Sequence, residues 1–365
     1  MAGRIVLFGA TGYTGDLTAR ALVAAGARPV LAARSAERLE RLAGELGGLE
    51  TQVADVSRPD TVHALVQAQD VLVSTVGPFT PWGDPAVQAA IAAGATYFDS
   101  TGEPSFIRRV FEEHGPAAAS AGCALVTAFG FDWVPGNLAG ALALRDAGPE
   151  AVRVDVGYFS RGGGGMSGGT QASSLQAMLE PSFAYRGGRL RGERTGARVR
   201  TFEVAGGKQR RGVSVGGSEH FGLPAVHPTL SDVEVALGMA GSLTPAMPIV
   251  TGVMSAATKL PPARAAARAA LARLASGSTG GPDAEARARG GSTVVAEAYA
   301  ASGTLLQRVE LDGVNGYTFT ADILAWGAMT AAADGVEGTG ALGPVSAFGL
   351  DRLETGARQA GMKRT

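Results

Sequence analysis

The chain has 365 residues, 54 glycines, 18% charged residues and a formal net charge of −1. Such a length exceeds one comfortable hydrophobic core, so two domains are expected. Balanced charge gives no sign of a nucleic-acid partner or of an anionic membrane, and a lone cysteine excludes an internal disulfide framework. The four histidines, His63, His114, His220 and His227, show no metal-ligand spacing, so no metal is expected.

Ile5 to Phe8 is an unbroken apolar run that meets Gly9 at once, as a parallel strand buried on both faces reads. Gly9, Gly12 and Gly15 follow at three-residue steps within Gly9-Ala10-Thr11-Gly12-Tyr13-Thr14-Gly15. Leu17, Ala21, Ala24 and Ala25 then recur at helical spacing. The first N–H groups of a helix lack partners within it and carry partial positive charge. A pyrophosphate collects them where glycine clears the approach. The spacing is GxxGxxG rather than the usual GxGxxG, so the flanking strand and helix carry the reading; a merely tight turn is the alternative. Gly9, Thr11, Gly12, Tyr13, Thr14 and Gly15 are thus expected cofactor contacts.

The next apolar run, Pro29 to Ala33, ends at Arg34-Ser35, and Arg34 stands 19 positions after Gly15. NAD-binding folds place an acidic residue there to hold the ribose 2′-hydroxyl. A guanidinium beside a hydroxyl suits a 2′-phosphate instead, through a contact worth about 1.5–3 kcal/mol. NADPH is the expected cofactor; an Arg34 that merely opens the next helix is the alternative. Ser35 is also an expected N-cap for a helix carrying Leu39, Leu42, Ala43 and Leu46. Leu49 to Val53 reads as a third strand. Asp55-Val56 follows, where folds of this type often touch the adenine; a cap on the helix after Pro59 is the other role for Asp55. Val71 to Val73 is a fourth strand running into Ser74-Thr75-Val76-Gly77-Pro78-Phe79. Ligands of open α/β sheets bind beyond the carboxyl ends of strands. Thr75, Val76, Gly77, Pro78 and Phe79 are therefore expected to face the ribose and nicotinamide, with a plain surface turn as the alternative.

A helix over 85–93, a strand from Thr96, a helix over 105–121 and a strand over 124–127 continue the alternation. Cys123 reads as a packed core thiol. A helix over 137–144 completes a first domain of residues 1–148, an N-terminal Rossmann-type, doubly wound parallel sheet. Residues 149–340 read as a second, mixed α/β (α+β) domain. It holds a strand over 152–159, a Gly-rich loop over 161–169 and a helix whose Ala172, Leu175, Met178 and Leu179 share a face. Six arginines, Arg186, Arg189, Arg191, Arg194, Arg198 and Arg200, read as solvated surface, with docking of an acidic carrier or phosphate-bearing substrate as the alternative. Helices are expected over 233–240, 246–257 and 263–275, a mobile or lid segment over 276–292 and a hairpin around Ser302-Gly303. A helix over 320–333 follows, and residues 341–365 form a C-terminal helix returning to the first domain. The apolar stretch 233–260 is broken by glycines and prolines, so no membrane span is expected; peripheral lipid contact stays open. A strand beginning this early leaves no room for a signal peptide, so a cytoplasmic location is expected.

Several of these stretches together resemble the saccharopine dehydrogenase-like oxidoreductases, including the branch described as trans-acting enoyl reductases. They are Gly9 to Gly15, Ala33-Arg34-Ser35, Val76 to Phe79, Tyr97 to Glu103, Gly130 to Pro135, Glu219-His220 before Leu223-Pro224, and Gly316 to Thr320. The chain departs from the wider family at Trp133 and Asn137, where serine and an acidic residue are common. The resemblance implies a nicotinamide-binding domain, a mixed second domain and a reductase reaction. For the enoyl reductase branch that reaction is hydride transfer to a C=C bond conjugated to a carbonyl, on a small-molecule or carrier-bound substrate of lipid, polyketide or secondary metabolism. A homodimer is among the expected assemblies. Reduction of a C=N bond, and a non-catalytic NADPH-binding role, are the rival readings. Enolate stabilisation calls for aimed donors and protonation for an acid within reach. Tyr158, Glu103 and Asp132 are the candidates, against core packing for Tyr158 and helix capping for the two carboxylates. No Tyr-x-x-x-Lys pair is present.

Overall fold

A computed structural model describes residues 3–162, 165, 167–238, 241–257 and 280–365. In chain order the elements are β1 (Ile5–Phe8), α1 (Tyr13–Ala24), β2 (Val30–Ala33), α2 (Ala36–Glu45), β3 (Thr51–Val53), α3 (Pro59–His63), β4 (Val71–Ser74), α4 (Phe79–Trp82), α5 (Asp84–Ala93), β5 (Thr96–Asp99), α6 (Pro104–Arg109), α7 (Gly115–Ala121), β6 (Ala124–Val126) and α8 (Val134–Ala147). There follow β7 (Ala151–Arg161), α9 (Gly168–Leu179), β8 (Ser182–Arg186), β9 (Arg189–Glu193), β10 (Val199–Val204), β11 (Lys208–Ser214), α10 (Glu219–Val226), β12 (Asp232–Leu237), α11 (Met247–Ala257) and α12 (Ala284–Arg289). The chain ends in β13 (Gly291–Ala300), β14 (Leu305–Val314), α13 (Gly316–Asp334), β15 (Gly340–Ala341), α14 (Pro344–Phe348), α15 (Leu350–Gln359) and β16 (Met362–Arg364).

Two compact units result: residues 1–101, 106–132 and 316–361 form one, and residues 102–105, 133–315 and 362–365 the other. The first unit is built on a seven-stranded sheet of order β15-β6-β5-β4-β1-β2-β3. Every pairing in it is parallel. The reversal of strand order at β1 is that of a doubly wound dinucleotide-binding sheet. One face packs Val6, Phe8, Ala32, Leu72 and Leu125 against Val62 of α3, Val87 of α5 and Phe106 of α6, with Cys123 buried among them. On the other, Phe98 meets Phe129 and Phe348, and Trp326 of α13 stacks with both of these. The helix expected over 105–121 is interrupted by a π-turn over Val110–His114. Pro116 has no N–H to return to the preceding turn, which opens the ladder there.

The second unit is built on a mixed nine-stranded sheet whose main path is β10-β11-β12-β7-β13-β14-β16. Only β12 and β7 pair in parallel on that path. Three differences from the sequence reading have physical causes. Residues 233–237 are a central strand and not a helix: β12 lies between β7 and β11 with Val233 to Ala236 all buried, a position that favours β-branched Val233 and Val235. Helix α8 belongs to the second unit, where it packs on β7, β13 and β14, so the boundary expected at 148 falls earlier, after Asp132. All of Val134 to Leu144 is buried, and a helix apolar all round needs cover on every side. The arginine-rich stretch forms two hairpins, β8–β9 turning at Gly187-Gly188 and β10–β11 turning at Gly206-Gly207, with positive φ at all four glycines. Half of its arginines are neutralised inside the unit: Arg186 and Arg198 meet the buried Glu234, and Arg200 meets the buried Asp155.

The helix expected over 263–275, residues 276–279 of the expected lid and Gly163, Gly164 and Met166 of the glycine loop lie outside the described residues. So do the side chains of Ala172, Leu175, Met178 and Leu179. Of the remaining lid segment, 284–289 is helical (α12). The C-terminal stretch is not one helix but several pieces: β15 joins the first sheet, α14 and α15 pack with α13, and β16 pairs with β14 of the second. Among the described residues no helix is long and apolar enough to cross a membrane.

Gly356 of α15 lets the Trp326 indole come close: a Cβ there would lie 2.3 Å from its Cε2. Phe129 and Phe348 flank the indole, so a shift would disturb those ring contacts. Gly356→Ala should therefore lower stability by about 1–3 kcal/mol from overpacking, against the helix-propensity gain of about 1 kcal/mol. A urea midpoint equal to or above that of the parent would refute this packing.

Candidate functional site

The glycine turn is set by contacts that exclude side chains. Gly9 has φ +92°. A Cβ on it would lie 2.7 Å from Thr75 Oγ1, and one on Gly15 would lie 2.1 Å from the Gly9 carbonyl oxygen. The N–H groups of Gly9 and Ala10 both donate to Ala32 O, and that of Gly12 donates back to Gly9 O. These bonds fold the chain sharply from β1 into α1. Gly12 is the N-cap of α1, extended and without a side-chain cap. The start of a 12-residue helix is thus left open to an anion. Thr75 closes the turn from the neighbouring strand, with its N–H and hydroxyl both on Phe8 O. The structure so brings Gly9 to Gly15 together with Thr75 and Val76. Pro78 N-caps α4, and Phe79 is buried against Phe106, so the Phe79 ring is a core group.

A second cluster forms where β2 and β3 end side by side, Ala33 opposite Val53. Arg34 is exposed there, and Ser35 caps α2 by accepting from the Arg38 N–H. Asp55 accepts from the Ser57 N–H and hydroxyl, each at 2.9 Å, and does not cap α3, whose N-cap Arg58 makes no side-chain bond. Those two bonds, chiefly the N–H, hold the Asp55 carboxyl below its ordinary range, helped by Arg34 and Arg58. Arg58 itself was not evident in the sequence. The bridge between Asp55 and Arg58 folds it back towards Asp55, so two exposed cations flank one carboxylate.

Aromatic and polar contacts close the first unit around this turn. Tyr13 stacks edge-on with Tyr317 of α13 at 5.1 Å. Thr320 of α13 accepts from the Phe131 N–H at 3.0 Å. The loop 127–132 is shaped by Asp99, which lies in the Tyr97 to Glu103 motif but has no role of its own in the sequence reading. Its buried carboxylate accepts from the N–H groups of Thr101 and Ala128, each at 2.9 Å, and from the Thr127 hydroxyl at 2.7 Å. Ala128 is thereby held at φ +59°, a left-handed conformation unusual for alanine. Burial outweighs these bonds and raises the Asp99 pKa to about 6. Asp132 closes the same loop. It is half-buried, none of the described residues hydrogen-bonds its carboxyl, and burial raises its pKa to about 6.

Tyr158 and Glu103 lie in the second unit, each engaged within it. The buried Tyr158 hydroxyl accepts from the Gly136 N–H at 2.7 Å and donates to Glu219 at 2.6 Å. A Cβ on Gly136 would lie 2.2 Å from both of those side-chain oxygens, so glycine is required. Asn137 donates to Trp133 O and Ser218 Oγ beside this network. His220 is buried next to it and uncharged at neutral pH, since burial pushes its pKa down to about 4. Glu103, also buried, accepts from the Ser173 hydroxyl at 2.8 Å. Tyr158 therefore reads as part of a buried hydrogen-bond network, whereas none of the described residues engages the Asp132 carboxyl.

Comparison with known proteins agrees with the first unit's geometry. Residues 9–98 match a family model described as NAD(P)H-binding. A protein of Mycobacterium tuberculosis provisionally named trans-acting enoyl reductase is 42% identical over 188 residues, 49% of this chain and 45% of its own length. The Mycobacterium leprae trans-acting enoyl reductase is 38% identical over the same shares. The chain thus spans about half the length of the curated relatives it matches. Saccharopine dehydrogenase (L-Glu forming) of Saccharomyces cerevisiae has a similar fold, with TM-score 0.59, 14% identity and full coverage of both chains. The chain thus carries a nicotinamide-dinucleotide-binding domain, and it resembles the trans-acting enoyl reductase branch of the saccharopine dehydrogenase-like oxidoreductases, in sequence to the former and in fold to the latter.

Proposed function

We propose that the chain is an NADPH-dependent reductase that delivers hydride to a C=C bond conjugated to a carbonyl. The observation that carries the cofactor half of this reading is the open start of α1 behind a turn only glycine fits. In this reading the pyrophosphate rests on the α1 N–H groups, with Thr11, Tyr13 and Thr14 around it. Arg34, Ser35 and Arg58 take the 2′-phosphate, and Asp55 and Val56 border the adenine. Thr75, Val76, Gly77 and the Pro78–Phe79 backbone border the ribose and nicotinamide. The enoyl half rests on relatives that bear that name over about half of their length. The cofactor supplies the hydride when bound, and the protein must supply a proton to the carbon that does not receive it.

Asp132 is the proton donor we favour among Asp132, Glu103 and Tyr158. It combines partial exposure, a carboxyl that no described residue occupies and a pKa near 6. An acid near the working pH balances availability against transfer. Glu103 and Tyr158 take positioning roles in the second unit. The substrate is a small-molecule or carrier-bound enoyl compound, and the cytoplasm is the proposed compartment. The test is NADPH oxidation by purified protein offered enoyl thioesters and cyclic imines in parallel. Turnover of the imines alone would replace C=C by C=N reduction. Tight NADPH binding with no turnover of any substrate would favour a non-catalytic role.

Two further outcomes are expected. Arg34→Asp should weaken NADPH binding by roughly 10- to 150-fold, the worth of one charge-assisted contact, while NADH changes little. Arg58→Ala should act in the same direction by less. Fluorescence titration decides this, and equal losses for both dinucleotides would remove the arginines from the 2′-phosphate. A general acid must be protonated, so the wild-type rate should fall as pH rises above about 6. Asp132→Asn should abolish that limb and cost roughly 10²–10⁴ in kcat. The same variant has a stability signature. A carboxyl pKa raised on folding stabilises the fold only at low pH, and that contribution is lost as pH climbs through the folded value. Asp132→Asn should therefore melt higher than wild type at pH 8, and the gap should close below pH 4. An unaltered rate profile in this variant would move the proton donor elsewhere.

A further inference from the structure

Helix α11 presents its apolar residues to solvent. Ile249 is 73% exposed, Val250 45% and Val253 65%. Ala246 immediately before it and Ala256 near its end are also exposed, so the outward stripe runs 246, 249, 250, 253, 256. That is the spacing of one helix face, with its polarity inverted relative to a surface helix. The helix contains no charged residue. Its inward anchor is polar: Thr251 is buried and donates to Gly196 O at 3.2 Å.

One cation, Arg194, borders this stripe. Exposed Arg194 lies along α11, with Nη2 donating to Pro248 O at 2.9 Å and Nε to Thr251 Oγ1 at 3.4 Å. No carboxylate of the described residues pairs with it. Arg189 and Arg191 are exposed on the β8–β9 hairpin that precedes Arg194 in the chain. In the sequence, the whole stretch between Glu234 and Asp283 has no acidic residue and four basic ones, Lys259, Arg264, Arg268 and Arg273.

We propose that α11 docks the protein on an anionic lipid surface, lying in the plane of the headgroups. Ile249, Val250 and Val253 enter the acyl boundary, and Arg194 bonds lipid phosphate. A second copy of this chain fits the same face less well. A two-fold contact centred on the stripe would gather two copies of Arg194 into one interface, and none of the described carboxylates pairs with it. The lipid headgroup supplies the missing counter-charge.

The test is co-sedimentation of the full chain with vesicles of phosphatidylcholine, alone or mixed with phosphatidylglycerol. Binding is expected to the mixed vesicles, with at least about tenfold preference over phosphatidylcholine and loss at high salt. Arg194→Ala should lower that affinity about fivefold, the worth of one juxtamembrane cation. Ile249→Asp combined with Val253→Asp should reduce it by about tenfold or more, with NADPH binding and circular dichroism unchanged. Equal recovery with and without vesicles overturns the proposal. So does a double variant that still binds lipid, or a dimer in gel filtration that the double variant dissociates without any vesicle binding. None of these outcomes depends on the reductase reading.

Discussion

The approach of backbone to backbone inside the first turn governs the nucleotide-binding unit. Gly15 packs on the carbonyl of Gly9, and Gly9 packs on Thr75 of the neighbouring strand. These contacts let α1 begin directly after the end of β1, with no side chain capping its first N–H groups. Everything else in that unit aligns to this start. The end of β2 brings Arg34, the end of β3 brings Asp55 and Arg58, and α13 brings Tyr317 to the ring of Tyr13.

Much of this was legible from the sequence because central parallel strands are apolar without interruption. Ile5 to Phe8, Val30 to Ala33 and Val71 to Ser74 are buried at every position, and a run of that kind has few other readings. The second unit was harder. Val233 to Leu237 carries Glu234 in its middle, and an apolar run with one charge suits a helix as well as a strand. Its ladder partners on β7 and β11 resolve it, together with the arginines that meet Glu234. Arg186 and Arg198 come from hairpins whose strands look like solvated surface, so density of arginine concealed two Gly-Gly turns.

The site was legible in the same uneven way. Gly9, Gly12, Gly15 and Arg34 announce themselves by spacing. Arg58 does not, since its place beside Asp55 depends on a turn that Ser57 stabilises. Asp99 and Ala128 are 29 residues apart and meet only because β5 and β6 are neighbours. Tyr158 had the right hydroxyl, but a hydroxyl is a group that a packed sheet also uses. Gly136 and Glu219 occupy it from two other elements. Sequence names the functional groups; which of them remain unoccupied is a property of the packing.

The first unit is assembled from three separated stretches of chain, and its last helices, α13 to α15, come after the whole middle unit. One aromatic face of its sheet packs on Trp326 and Phe348, which are among the last residues to be synthesised. During translation Phe98 and Phe129 therefore emerge long before the partners that pack on them. The order of synthesis is then not the order of completion. Chaperone capture of the nascent chain, with aggregation of products truncated before residue 316, is the hazard that this wiring creates.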